Sequence, residues 1–186
     1  MAVEKAMISG RHETVAPVVT PRPPRDSDEP ELHHRPTAPP ASSWVEGLAA
    51  ELRLARKDAA GAVRTLEAAQ KQFPANRSLA YALADARIHA GQAREAAAGV
   101  RRMIDTRSSD PRLWQLLSRA HAELGQRTAQ HRAQAEVYVL RGSLPAAIEQ
   151  LEIARKGGDG DFYELSAVDA RMRELKQRLL EEKRER

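Results

Sequence analysis

Pro111-Arg112-Leu113-Trp114-Gln115-Leu116-Leu117-Ser118-Arg119-Ala120-His121-Ala122-Glu123-Leu124-Gly125-Gln126 decides how this chain folds. Leu113, Leu116, Leu117, Ala120 and Leu124 recur at the spacing of one helix face. Gly125 then ends the stripe, as glycine suits a helix C-terminus because it enters the left-handed region without a Cβ penalty. Stepping back by 34 residues reaches Gly91-Gln92, and by 34 again Lys57-Asp58; each dipeptide closes one apolar stripe and precedes another. In that 34-residue frame small residues fall on small ones (Ala62 on Ala96; Ala50 on Ala84 and Ser118) and larger ones on larger (Leu66 on Val100; Leu83 on Leu117). Leu48, Leu52 and Ala55 form the earliest stripe, and Leu79, Leu83, Ala86 and Ala90 the next. Pro74 closes the first unit and Ser108-Ser109-Asp110-Pro111 the second. A helical bundle with accidental spacing would share the composition but not three units in one frame.

Composition agrees with an all-α reading. The chain has 33 alanines, seven aromatics, ten valines and five isoleucines, which suits close-packed helices better than strands, where β-branched and aromatic residues are favoured. There is no cysteine, so disulfides, thiolate zinc sites and a cysteine nucleophile are excluded. No apolar run approaches the roughly 18 residues of a membrane span. Residues 1–43 hold eight of the 11 prolines and few large apolar residues, too little apolar surface to offset chain entropy, and read as a disordered tail. Pro21-Arg22-Pro23-Pro24 is compatible with polyproline II docking to a small adaptor domain, beside the plainer reading of a solvated linker.

After Gly125 the next turn glycine, Gly142, comes 17 residues later, half a period. The helix from about Arg127 to Leu140 therefore belongs to two phases, second helix of one hairpin and first of the next, with Ala135, Tyr138, Ala147, Leu151 and Ala154 completing that last unit. Beyond Lys156-Gly157-Gly158-Asp159-Gly160, Val168, Met172, Leu175 and Leu179 share a stripe on a final long helix with a polar outer side, as a solenoid cap requires. The expected architecture is an all-α, right-handed solenoid of about eight antiparallel helices: units at about 44–76, 77–110, 111–141 and 128–160, and a capping helix over about 163–182.

Helix–turn–helix units of 34 residues resemble the tetratricopeptide repeat, on Trp114, Leu117 and Ser118 in one first helix and Ala62, Leu66, Ala69 and Pro74 across one second helix. Residues 44–180 go further. The strings Asp110-Pro111-Arg112-Leu113-Trp114-Gln115-Leu116-Leu117, Ala129-Gln130-His131-Arg132-Ala133-Gln134-Ala135-Glu136, Ala146-Ala147-Ile148-Glu149-Gln150-Leu151 and Asp169-Ala170-Arg171-Met172-Arg173-Glu174-Leu175 are similar to the C-terminal repeat module of bacterial periplasmic zinc metalloproteases of the beta-barrel assembly-enhancing type. That resemblance implies a module that lines a protease and helps dock it to outer-membrane assembly machinery, so a metalloprotease or that machinery is an expected partner.

The zinc chemistry of such enzymes needs His-Glu-x-x-His on one helical face. Here the only His-Glu, His12-Glu13, is followed by Thr14-Val15-Ala16. The reading is therefore a non-catalytic interaction module without cofactor, or else the non-catalytic C-terminal part of a split or degenerate metalloprotease. Met1-Ala2-Val3-Glu4-Lys5 lacks the charged-then-apolar order of a signal peptide. The expected location is cytoplasmic by default, and periplasmic if the chain derives from a longer precursor of that family.

Other candidate chemistry is thin. His33-His34 has no further ligand nearby, and His89, His121 and His131 read as helix-surface residues. Asp159 and Asp161 suit a turn and a helix N-cap better than a calcium loop, which needs a longer ligand series. The net charge of +4 is spread over 186 residues with few aromatics, which argues against nucleic acid as a partner. What remains is the concave side of the repeat stack, lined by first helices. Repeat positions 2, 5, 9 and 12 place Ser78, Tyr81, Asp85 and Ile88, with Arg112, Gln115, Arg119 and Ala122, in that groove. The candidate protein-binding residues are Tyr81, Asp85, Ile88, Arg112, Gln115 and Arg119, suited to a segment with an acidic residue beside an apolar anchor.

Overall fold

A computed structural model of the protein describes residues 42–185. The tail expected over 1–43 lies outside the described residues but for its last two. Eight helices follow one another: α1 Ser43–Ala55, α2 Ala59–Gln72, α3 Arg77–His89, α4 Ala93–Thr106, α5 Pro111–Glu123, α6 Arg127–Leu140, α7 Leu144–Arg155 and α8 Phe162–Arg184. No strand occurs among the described residues.

The tight turns share one mechanism. Lys57, Gly91, Gly125 and Gly142 all adopt positive φ, at 63°, 75°, 70° and 76°. At each, two backbone N–H groups fold back on the preceding helix. Gly91 donates to Ile88 O at 3.1 Å and Gln92 to Arg87 O at 2.8 Å; Gly125 donates to Ala122 O and Gln126 to His121 O, both at 3.0 Å. These are the paired bonds that satisfy the last carbonyls of a helix when the next residue is left-handed. Lys57 makes the same pair, to Leu54 O at 2.9 Å through its own N–H and to Arg53 O at 2.8 Å through Asp58. It does so with a Cβ, the one non-glycine at positive φ among the described residues. Lys57→Gly should therefore raise the unfolding free energy by about 0.5–1 kcal/mol, the left-handed penalty less the extra freedom of glycine in the unfolded chain. A urea midpoint that stays put or falls, at constant m, would contradict this.

Connections between hairpins are built differently. Asn76 and Asp110, again one period apart, cap α3 and α5 by accepting from the N–H groups of Ser78 and Arg112 at 3.0 and 2.9 Å. The Trp114 indole N–H donates to Ser108 O at 2.7 Å and holds the second connection against α5.

Sequential helices pack on one another, and α1 also touches α3, and α3 touches α5. Then the pattern changes sides: α6 packs on α8, while α5 and α7 are not neighbours. So α6 closes the α5–α6 hairpin and opens α6–α7. The Gly142 turn explains it, since a two-bond glycine turn makes an antiparallel hairpin wherever it falls. Alanines allow the close approach. Ala62, Ala86, Ala120, Ala135, Ala147 and Ala154 are all fully buried, as are Leu66 and Val100, which share one place in the repeat. At the C-terminal end α8 buries Val168, Met172 and Leu175 and starts from a capping box between Asp161 and Glu164.

Candidate protein-interaction groove

The first helices α1, α3 and α5 line one face, and two adjoining recesses run along it. One, of about 280 Å³, is lined by Ala50, Glu51 and Leu54 of α1, Ala82 and Asp85 of α3, and Arg112, Gln115, Leu116 and Arg119 of α5, with Leu66 behind them. The other, of about 520 Å³, is lined by Ser43, Trp44, Gly47, Leu48, Glu51, Asn76, Ser78, Leu79, Ala82 and Arg112. They share Glu51, Ala82 and Arg112, so together they form one groove.

Four of the six candidate residues, Asp85, Arg112, Gln115 and Arg119, meet in the first recess. Arg119 Nη1 pairs with Asp85 Oδ1, one full period away in sequence. The Arg112 guanidinium lies 4.9 Å from the centre of the Tyr81 ring, a cation–π contact worth about 0.5–1 kcal/mol where water reaches it. Tyr81 itself is only 9% exposed. Its hydroxyl donates to Asp110 Oδ2 at 2.5 Å, and that bond, more than burial, raises the phenol pKa. Tyr81 thus steadies Arg112 from beneath and offers little surface to a ligand.

Ile88 is not on the groove at all. It is 5% exposed and sits in a core cluster with Leu113, Leu116, Leu117 and Ala120 of α5. The reason is packing: α3 touches α1, α2, α4 and α5, and the side that carries Tyr81 and Ile88, two turns apart, is covered by α5. Ser78 lines the second recess, and Ala122 is exposed.

One feature of the groove was not expected from sequence. The Leu48–Leu52–Ala55 stripe of α1 faces solvent, not core: Leu48 is 59% exposed, Leu52 51%, and Trp44 on the same side 70%. The helix is instead held by Ala50, 1% exposed, which shares a repeat position with buried Ala84 and Ser118. That equivalence was the available signal for which side of α1 faces inward.

Sequence comparison accounts for this architecture. A family model described as "Tetratricopeptide repeat" matches residues 53–120. The chain carries tetratricopeptide repeats. It is also similar to curated proteins named beta-barrel assembly-enhancing protease from Escherichia coli (strain K12), Shigella flexneri and Escherichia coli O157:H7. Each is 32% identical over 140 residues, which is 75% of this chain and 28% of the relative. The chain thus spans about 28% of the length of the curated relatives it matches.

Within the repeats the helical histidines stay apart. His121, expected at the surface, is 3% exposed. Arg101 Nη2 lies 3.2 Å from its Nε2, and Gln126 Oε1 lies 2.6 Å from its Nδ1. An arginine can only donate, so the network assigns an acceptor Nε2 and a protonated Nδ1. Burial lowers its pKa, Arg101 lowers it further, and the Gln126 bond opposes them; the ring is held neutral as a structural link between α4 and α5. His131 Nδ1 lies 2.9 Å from Gln150 Oε1, and His89 is exposed beside Asp85. Among the described residues no three His, Asp or Glu side chains are grouped to hold a metal ion, and no described helix is long and apolar enough to cross a membrane. Asp161 is the N-cap of α8, while Asp159 accepts from both the N–H and the hydroxyl of Thr128, at 2.9 and 2.7 Å.

Proposed function

We propose that this repeat array is a non-catalytic scaffold that receives a peptide or protein segment in the α1–α3–α5 groove, and that its partners belong to outer-membrane protein assembly or quality control. The observation that carries the reading is the groove's chemistry: an exposed apolar shelf of Trp44 and Leu48 beside Arg112, with Arg119 and Gln115 on the next turns. Aromatic and arginine side chains dominate the energetics of many interfaces. Shelf and guanidinium together suit a segment that sets a carboxylate next to an apolar side chain. The link to outer-membrane assembly is supported by the likeness to proteins named for enhancing beta-barrel assembly.

A second reading has its own support. The relatives are named proteases, and these 186 residues hold no His-Glu-x-x-His. The chain would then be the non-catalytic C-terminal part of a split or degenerate zinc metalloprotease. In neither reading does the chain cleave protein itself; chelator-sensitive hydrolysis of casein by the pure chain would refute both. A photo-crosslinking residue at Gln115, activated in the native cell, separates them. Capture of an outer-membrane assembly component supports the scaffold, and capture of a separate chain with His-Glu-x-x-His supports the split protease. Capture of nucleic acid, or of nothing, rejects both.

A further inference from the structure

We propose that the groove is occupied within the same molecule by the acidic segment Asp26–Leu32, which a partner must displace. The proposal rests on reading the groove as a peptide-binding surface and adds what fills it when no partner is present.

Three observations converge on that occupant. First, Arg112 is set for a carboxylate: its guanidinium lies over the Tyr81 ring and forms no ion pair within 4.0 Å among the described residues. Arg119 nearby is shared with Asp85, and Glu51 lies across the same recess. A ligand carboxylate would thus be gripped at Arg112 first. Second, Asp26-Ser27-Asp28-Glu29-Pro30-Glu31-Leu32 places four carboxylates immediately before a leucine, with no cation among them. This is the acidic-beside-apolar order that the groove accepts. Third, the described chain starts at Ser42, and Ser43 and Trp44 themselves line the groove. The ten intervening residues can reach up to roughly 33 Å, whereas Arg112 to Arg119 spans only about 10 Å of helix.

Direction agrees as well. A chain doubling back from Ser42 presents Leu32 first, to Trp44 and Leu48 at the start of α1, and its acids next, to α5. Tethering adds the rest: a short linker gives an effective concentration in the millimolar range, so a segment of only millimolar intrinsic affinity is bound about half the time.

The test uses the full chain and the absence of cysteine in it. A nitroxide on Ser27→Cys reports which backbone amides the segment visits through selective loss of their NMR signals. The amides of Ala82, Arg112 and Gln115 should lose signal, while those of Gln150 on α7 and Arg173 on α8 keep it. Reversing the segment's charge (Asp26→Lys, Asp28→Lys, Glu29→Lys and Glu31→Lys together) should restore the groove signals, as should high salt, which screens exposed pairs. These four positions lie outside the helices, and unchanged amide shifts in α7 and α8 would certify the fold. No loss at the groove, loss spread evenly over the array, or loss that survives charge reversal would overturn the proposal. A failure here is distinct from failure of the groove as a partner site, because partner capture at Gln115 is measured separately.

Discussion

Leu113→Ala should lower the unfolding free energy by about 3–4 kcal/mol, near the upper part of the range for truncating a buried leucine. Leu113 is fully buried in the cluster that joins α3, α4, α5 and α6, among Tyr81, Ala84, Val100, Ala120 and Ala133. Cavity cost depends on how far the surroundings can collapse. Here several neighbours are alanines, whose helix backbones already approach closely, so little can move in to fill the space. The position also matters. In a repeat stack each unit contacts only its neighbours, so a weak central interface divides the array into two cooperative blocks. Urea unfolding followed by circular dichroism should show a large midpoint shift and a broadened transition. Leu48→Ala, at 59% exposed, is the control and should change stability by less than about 0.5 kcal/mol. A loss under about 1 kcal/mol for Leu113→Ala would mean that the α4–α5 interface is not the centre of the core.

Asp159→Ala should cost about 2–3 kcal/mol, because it orphans two donors on a buried residue. Thr128, 1% exposed, opens α6, and its N–H and hydroxyl both point to Asp159 Oδ1, with Ala154 O at 3.2 Å from the hydroxyl as the alternative acceptor. The glycines of this loop have a steric reason. A Cβ on Gly160 would come within 2.8 Å of Thr128 Cγ2, and one on Gly157 within 2.7 Å of its Oγ1. The Thr128 hydroxyl, with help from backbone N–H groups and against some desolvation, holds the Asp159 carboxyl below its ordinary pKa of 3.8. A carboxyl whose pKa is lower in the folded state contributes fully above the unfolded value and loses that contribution as pH falls through the folded one. The wild type should therefore outlast Asp159→Ala at pH 7, and the gap between their urea midpoints should narrow below about pH 3.8. An equal gap at pH 7 and at pH 3 would show that the carboxylate is not what holds the start of α6.

Much of this fold can be read directly from residues. Gly91 and Gly125 mark turns because only glycine enters the left-handed region cheaply, and the alanine equivalences Ala62–Ala96 and Ala50–Ala84 mark close helix contacts. Lys57 shows the limit of that logic, since the period alone, not residue type, identifies its turn. Burial direction was harder. Tyr81 and Ile88 occupy repeat positions that point towards the concave side, yet α5 covers them; a position count gives an angle about one helix axis and says nothing of how close the next helix comes. Leu48 and Leu52 fail for the converse reason, as a 3.6-residue period marks an apolar face without telling whether anything lies against it. His121 is buried through Arg101 and Gln126, and Thr128 is tied to Asp159 31 residues away. Such contacts have no local signature.

The central claim is that the α1–α3–α5 groove, through its arginines, binds the partner. Arg112→Ala with Arg119→Ala tests it most directly, and Tyr81 stays in place because its bond to Asp110 is structural. Titration of the partner captured at Gln115 should show at least about tenfold weaker binding, roughly 1.4 kcal/mol, with helicity and melting nearly unchanged. Full affinity in the double variant would contradict the claim.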